Sequence, residues 1–319
     1  MKINGIWRTG LLAAVITVVG AALVMSGGDW VKGLDSGFIA LGQTGTTTPP
    51  VTTTGCGATT GTSTGTASGT TTTTTCITKI IPQIAAGSFD GNATKYSTTI
   101  EIVNTGTTAA TLTGNFYVPA SGAASTMAFT SNITAATVTS GALASTSLNP
   151  GAILVLTAGT TAATTPATGT VSWGKIVSTG SVSIATFFEI RDGSTSTLYG
   201  RVGVAASASN MSKFLIPRVR NVASGFDVAF ALVNTGSTTA NFTATLKDAN
   251  GTTLSTKTST LAANAQTALF ASQFFALTGE PTGTSYSYIV VESTSASFAA
   301  IALAFEGANA TSFPVEQLQ

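Results

Sequence analysis

The chain has 319 residues, 43% of them hydrophobic and 8% charged, with thirteen basic and twelve acidic side chains, two cysteines and no histidine. That length suits about two domains at the usual 100–200 residues each. The thin, balanced charge speaks against nucleic acid as a partner, because no basic stripe exists to hold phosphates. Without histidine the chain lacks the ordinary acid–base group near neutral pH and the commonest transition-metal ligand. A non-enzymatic protein without cofactor or metal is expected. Solubility rests on Thr, Ser, Asn and backbone groups, a usage common in secreted surface and fibre proteins.

Lys2 and Arg8 precede the apolar run Leu11 to Met25, and the small residues Ser26, Gly27 and Gly28 follow. A basic start, an apolar core and a small-residue end describe a signal peptide. The run is shorter than the roughly 20 residues that comfortably span a bilayer. Residues 1–28 are therefore expected to be a signal peptide or a membrane or assembly segment, with cleavage near Gly28 preferred and Gly42 a second candidate. Uncleaved, the run would anchor the chain, its only expected contact with a membrane. Pilin-type processing after Gly10 would leave it as an assembly helix, although Val15 stands where the bacterial pilin glutamate is found.

Residues 29–76 read as a Thr/Gly-rich linker or stalk. From Gln43 to Thr75 the composition cannot bury enough apolar surface to offset the entropy of ordering. Cys56 and Cys76 bracket much of this tract. In an exported protein a lone pair of cysteines most simply forms one disulfide. A metal pair would need further ligands, and a redox pair would need close C-x-x-C spacing.

Beyond Cys76 the sequence says the same thing twice, as tandem copies of one folding unit do. Ile81-Pro82-Gln83 leads to Ile100-Glu101-Ile102-Val103-Asn104-Thr105-Gly106, and Ile216-Pro217-Arg218 leads to Phe230-Ala231-Leu232-Val233-Asn234-Thr235-Gly236. Alternation places Ile100 and Ile102 on one strand face, with Phe230 and Leu232 in the equivalent places, while Glu101 and Ala231 point outward. Asn-Thr-Gly is expected to turn the chain through a glycine of positive φ, returning Thr111 to Val118 and Ala240 to Lys247 as paired strands. Leu148 to Ala152 and Leu261 to Ala265 then lead into Ile153 to Leu156 and Ala268 to Phe270. Final hairpins are expected from Val171–Val177 with Ile184–Ile190, and from Tyr286–Val291 with Phe298–Phe305. The first copy carries extra sequence from Pro119 to Ser147, read as enlarged loops, and Gln273 to Leu277 suits a single helical turn.

Many short strands without alternating helices predict an all-β chain of two tandem immunoglobulin-like β-sandwich domains, at 77–207 and 208–319, after the apolar segment and the Thr-rich linker. The arrangement resembles tandem β-sandwich modules of uncharacterised secreted bacterial proteins, on the I-P-Q-I-A opening at Ile81, the V-N-T-G turn at Val103 and their echoes at Ile216 and Val233. That resemblance implies an extracellular role and supplies no catalytic residues.

Candidate chemistry is sparse. Glu189 and Asp192 are a carboxylate pair of the kind used in glycosidic hydrolysis, but Glu189-Ile190-Arg191-Asp192-Gly193 reads better as a strand entering a turn. Asp248-Ala249-Asn250-Gly251 and Asp90-Gly91-Asn92 lack the carboxylate density of a calcium loop and read as turns. Lys79, Lys95 and Glu101 raise an internal isopeptide crosslink, against which the outward Glu101 argues. Trp173, Arg218 and Arg220 are the candidate ligand contacts: the indole, like Tyr286 and Tyr288, could stack on sugar rings, and the arginines could meet an anionic polymer. The expected function is a secreted or cell-surface structural and adhesive protein whose partners are other extracellular proteins, itself, or cell-surface polysaccharide. The alternatives are a subunit of a pilus-like filament, assembled through the N-terminal segment or strand exchange, and a carbohydrate-binding module.

Overall fold

The computed structural model describes residues 52–54, 75–159, 168–207, 210–221, 223–277, 284–295, 297–306 and 309–318. The leader, most of the Thr-rich tract and Cys56 lie outside them. Module 1 comprises β1 (Thr52–Thr54), β2 (Thr75–Phe89), β3 (Thr94–Asn104), β4 (Ala110–Tyr117), β5 (Phe129–Ser131), β6 (Val138–Thr139), β7 (Ala142–Leu148), β8 (Ile153–Ala158), β9 (Thr170–Ser178), β10 (Val182–Asp192) and β11 (Leu198–Ala205). Module 2 comprises β12 (Lys213–Asn221), β13 (Asp227–Asn234), β14 (Ala240–Asp248), β15 (Thr253–Leu261), β16 (Gln266–Phe270), the four-residue helix α1 (Ala271–Phe274), β17 (Thr284–Ser293), β18 (Phe298–Glu306), β19 (Asn309–Phe313) and β20 (Glu316–Gln317).

Each module is a sandwich of two antiparallel sheets, here called front and back, which in module 1 are joined where the end of β2 pairs with β3 from Gly87↔Tyr96 to Phe89↔Thr94. The front sheets run β2-β9-β4-β7 and β12-β17-β14-β15; the back sheets run β11-β10-β3-β8 and β19-β18-β13-β16. The two orders are the same when the copies are aligned from their Ile-Pro openings, so the sequence repeat is a repeat of topology. Alternation decides what lies between the sheets: Ile100, Ile102, Leu112, Phe116, Leu154 and Ile176 fill module 1, and Phe214, Ile216, Phe230, Phe242, Leu246 and Ile289 fill module 2. The first sandwich also reaches further back than residue 77, because β2 begins at Thr75 and β1 pairs with it from Thr54↔Thr75 to Thr52↔Ile77.

The expected pairing at the Asn-Thr-Gly turns is corrected by the structure. β3 and β4 lie in opposite sheets, as do β13 and β14, and likewise β9 with β10 and β17 with β18. The hairpins include β2 with β3 at the join and, within one sheet, β6 with β7, β10 with β11, β14 with β15, and β18 with β19, and β4 pairs with β7 across the inserted β5 and β6. At the corner leaving β3, Asn104 Nδ2 donates to Thr108 O (2.8 Å) and Leu148 O (2.7 Å), while Oδ1 accepts from Gly106 N (2.9 Å). Asn234 repeats this with Thr238 O (2.8 Å), Leu261 O (3.0 Å) and Gly236 N (2.9 Å). Neither glycine has positive φ. A Cβ on Gly106 or Gly236 would instead press on the asparagine Oδ1 at 3.2 or 3.1 Å, so close approach is what requires glycine. Asn234→Ala leaves buried carbonyls and an N–H without partners, at ~1–3 kcal/mol for each unsatisfied group. Chemical denaturation should show a loss of about 2–4 kcal/mol; a variant as stable as the parent would mean that the corner does not hold the sheets together.

The modules are not independent beads. Module 2 lays its back sheet on the front of module 1. Ile80, Trp173 and Tyr117 on the outer front face of module 1 meet Val233 and Ala299 on the outer back face of module 2. Beyond them Phe89, Phe188, Ile190 and Val202 join Phe270, Leu303 and Phe305 in one apolar cluster. β18 is consequently buried at every residue from Phe298 to Phe305, one face against its own core and the other against module 1. The extra sequence of module 1 does more than lengthen loops: β5 extends the back sheet beside β8, β6 extends the front sheet beside β7, and Pro119 O accepts from Gln266 N of module 2 at 2.8 Å.

Candidate functional site

Trp173 is not available to a ligand. It is 0% exposed, its ring stacks on Tyr117 with centroids 4.3 Å apart, and Nε1 donates to Asn264 O of module 2 at 2.9 Å. An aromatic on an outer sheet face reads from sequence as a platform; here the second module covers it.

Arg218 is likewise corrected from a surface contact to a buried ion. It and Asp227 are each 2% exposed, with Arg218 Nε donating to Asp227 Oδ1 at 3.0 Å. Asp227 also accepts from Val228 N (2.8 Å) and from Ser272 N in α1 (3.3 Å), and Arg220 Nη1 stands 3.7 Å from its Oδ2. The arginines thus serve one internal carboxylate, and Arg220, only partly exposed, is the nearer of the two to solvent. Alternation put Arg218 on the inward face with Phe214 and Ile216, and that was the signal in the sequence for burial.

The Glu189 and Asp192 pair is disarmed by its neighbours. Glu189 Oε2 accepts from Arg191 Nη2 (2.9 Å), and Oε1 accepts from Arg201 Nε (2.6 Å), its cross-strand partner on β11. Burial alone would raise the Glu189 carboxyl, but hydrogen bonds from both arginines and their charges outweigh it, and the net direction is down. Asp192 accepts from Ser194 Oγ (2.6 Å), Ser194 N (2.8 Å), Thr195 N (2.6 Å) and the Tyr199 hydroxyl. The Ser194 bond first, then those from Tyr199 and Thr195, holds it well below the usual carboxylate range. Both groups are kept as carboxylates, so neither suits the proton donor that glycosidic hydrolysis needs. Gly193 belongs to the same turn: its N donates to Ala93 O at 2.9 Å, and a Cβ would lie 1.5 Å from Asn92 O.

The Asp192–Tyr199 clasp makes a pH prediction. The Asp192 hydrogen bond pushes the Tyr199 phenol up to about 12, against about 10 for an unfolded tyrosine. A raised folded value stabilises fully below about pH 10 and is lost as pH climbs through the folded value. Asp192 works in the opposite sense: its contribution is complete above about pH 4 and fades as pH falls below that. Ultraviolet titration of Tyr199→Phe should lack one phenolate that ionises near pH 12 in the parent. Superimposable curves for the two proteins would remove the clasp.

Among the described residues no cluster of three His, Cys, Asp or Glu side chains could hold a metal. The Asp248 turn behaves as a turn, its Oδ1 accepting from Asn250 N (2.9 Å) and Thr252 N (2.8 Å). Lys95 Nζ lies 3.5 Å from Ser196 Oγ, and on β3 Lys95 stands opposite Arg191 while Glu101 stands opposite Ala185, so the two are at separate places along one strand. A cavity of about 30 Å³ lined by Gln83, Phe230, Ala231 and Leu303 lies at the seam between modules. It is far below the ~300–1,000 Å³ of small-molecule sites.

What remains open is surface. The outer front face of module 2 carries Tyr286, 65% exposed, with Tyr288, Leu215, Pro217 and Val290 half-buried around it. Cys76 is buried beside the β1 pairing, while its expected partner Cys56 lies outside the described residues. No protein-family model, curated protein or solved structure matches the chain.

Proposed function

We propose that the chain is a secreted or cell-surface structural and adhesive protein without catalytic activity, held out by its Thr-rich stalk. The observation that carries the reading is the seam: two sandwiches share an apolar cluster from both modules, so the pair is a stiff body. The two best-placed carboxylates are occupied by arginines, hydroxyls and backbone N–H groups, and the buried Arg218 serves an internal ion pair. The exposed strand faces are rich in threonine, as along β15. The apolar run followed by small residues supports export. A Cys56–Cys76 disulfide belongs to this proposal, and β1 supports it by bringing Thr54 beside Thr75, close in sequence to both cysteines.

Fractionating the producing cells and sequencing the mature N-terminus tests the proposal. Chain outside the cytoplasm, beginning near Asp29, is expected; cytoplasmic chain retaining Met1 would overturn it. Assembly into filaments is a second reading, favoured by the uncovered front face of module 2. The open β15 edge is a poor place for it. Lys257 folds inward there, donating to Phe274 O at 2.7 Å over the Phe274 ring, and an inward charge is a usual guard against edge pairing.

A further inference from the structure

We propose that the front face of module 2 binds the back face of module 1 of a second copy, so that chains add head to tail. This rests on the structural reading above and names the partner as the chain itself.

The contact is continuous with one already made inside the molecule, where the front of module 1 receives the back of module 2. Strand register matches the positions across copies. Gly174 pairs with Ile81, and Ile289 pairs with Ile216, so Tyr288 stands where Trp173 does. Leu215 then occupies the place of Ile80, and Pro217 that of Pro82. On the back, Val103 pairs with Ser183 and Ile153, and Val233 with Ala299 and Gln266. Ala185 and Phe187 accordingly stand where Ile301 and Leu303 do. The apolar character of the seam is therefore kept at Leu215, Pro217 and Tyr288 on the front of module 2 and at Val103, Ala185 and Phe187 on the back of module 1, while Glu189 stands where Phe305 does.

Exposure points to the same faces. Among the described residues, four large apolar side chains are exposed, and two lie here: Tyr286 (65%) on the front of module 2 and Ile153 (45%) on the back of module 1. Ile153 takes the place of Gln266, which the internal seam buries. Both free faces carry ion pairs of their own, Lys213 with Glu292 on the front and Glu189 with Arg191 and Arg201 on the back, and beside these stand two further charges of opposite sign. Lys247 replaces Tyr117 on the front, and Glu101 replaces Ala231 on the back. Such a contact joins different patches of the two partners and does not close on itself, so repetition gives a filament.

Two surface substitutions test this in the exported chain, Tyr286→Asp to block the front and Ile153→Asp to block the back. Circular dichroism melts should match the parent, since both side chains are exposed. Sedimentation velocity of the parent should show growth with concentration, and electron microscopy should show filaments. Each variant alone should associate about a hundredfold more weakly, because a carboxylate must be stripped of water against an apolar face. Mixed in equal amounts, the variants should form dimers that grow no further, since one intact front meets one intact back. A parent that stays monomeric up to about 1 mM overturns the docking while leaving export and the structural reading to the N-terminal assay. Association by either variant alone, or a mixture that stays monomeric while the parent grows, overturns it equally.

Discussion

Leu303→Asp is expected to unfold both sandwiches at once. Leu303 belongs to module 2, yet it packs in the cluster that covers Phe188, Ile190 and Val202 of module 1. Those side chains lie on strands β10 and β11, and part of their cover is Phe270, Leu303 and Phe305. A carboxylate placed among them has no partner, and burying such a charge costs several kcal/mol per ion even after relaxation. The milder Leu303→Ala should cost about 2–5 kcal/mol through the cavity it leaves. Calorimetry of the parent should give one transition whose calorimetric and van't Hoff enthalpies agree. Leu303→Ala should lower that single transition by roughly 2–4 °C per kcal/mol, the scale for a body of 150–250 residues. Two transitions in the parent, with only one of them moved by the substitution, would show that the modules fold independently and that the seam contributes little.

The second large effect is expected at Asp227. Its carboxylate is the partner of a guanidinium that is 2% exposed. Asp227→Ala takes the carboxylate partner away from the buried Arg218, a change that costs about 3–5 kcal/mol. It also removes the acceptor for Ser272 N at the start of α1, whose Phe274 packs against Phe230 and Phe242. Module 1 manages without this pair: Gln83 follows its Ile-Pro dipeptide, and Ser97 occupies the position of Asp227 in the strand. The double change Arg218→Gln with Asp227→Ser copies that solution and should recover most of the loss, because the buried charge is removed together with its carboxylate partner. A double-mutant cycle in denaturant measures the coupling, expected in the 0.5–3 kcal/mol range for residues in direct contact. Additive losses from the two single changes would mean that the ion pair is not what holds β12 to β13.

Recognition of the repeat came from strings such as Val103-Asn104-Thr105-Gly106 and Val233-Asn234-Thr235-Gly236, and the matching strand orders follow it closely. What those strings meant was harder to read. Asn-Thr-Gly has the composition of a hairpin turn, yet the Asn104 and Asn234 amides clasp carbonyls from two neighbouring segments and carry the chain from one sheet to the other. Short turn residues report that the chain reverses, and say nothing of which strand waits on the far side. The same gap explains Trp173. It was a candidate for stacking on a ligand and it does lie on an outer face, but an outer face is exposed only if nothing else covers it. The Pro119 to Ser147 insertion was legible as extra length and not as a bracket for module 2, since its contact with Gln266 joins residues far apart in sequence.

Composition and period-two alternation were enough to specify an all-strand chain, its duplication, and the inward faces of β3 and β13, because these depend on residues within a few positions of one another. Sheet membership, the burial of Trp173, and the stiff coupling of the two modules arose from the folded body. They depend on whole faces meeting across long stretches of chain, and a face has no way to record locally whether water or another sheet lies against it.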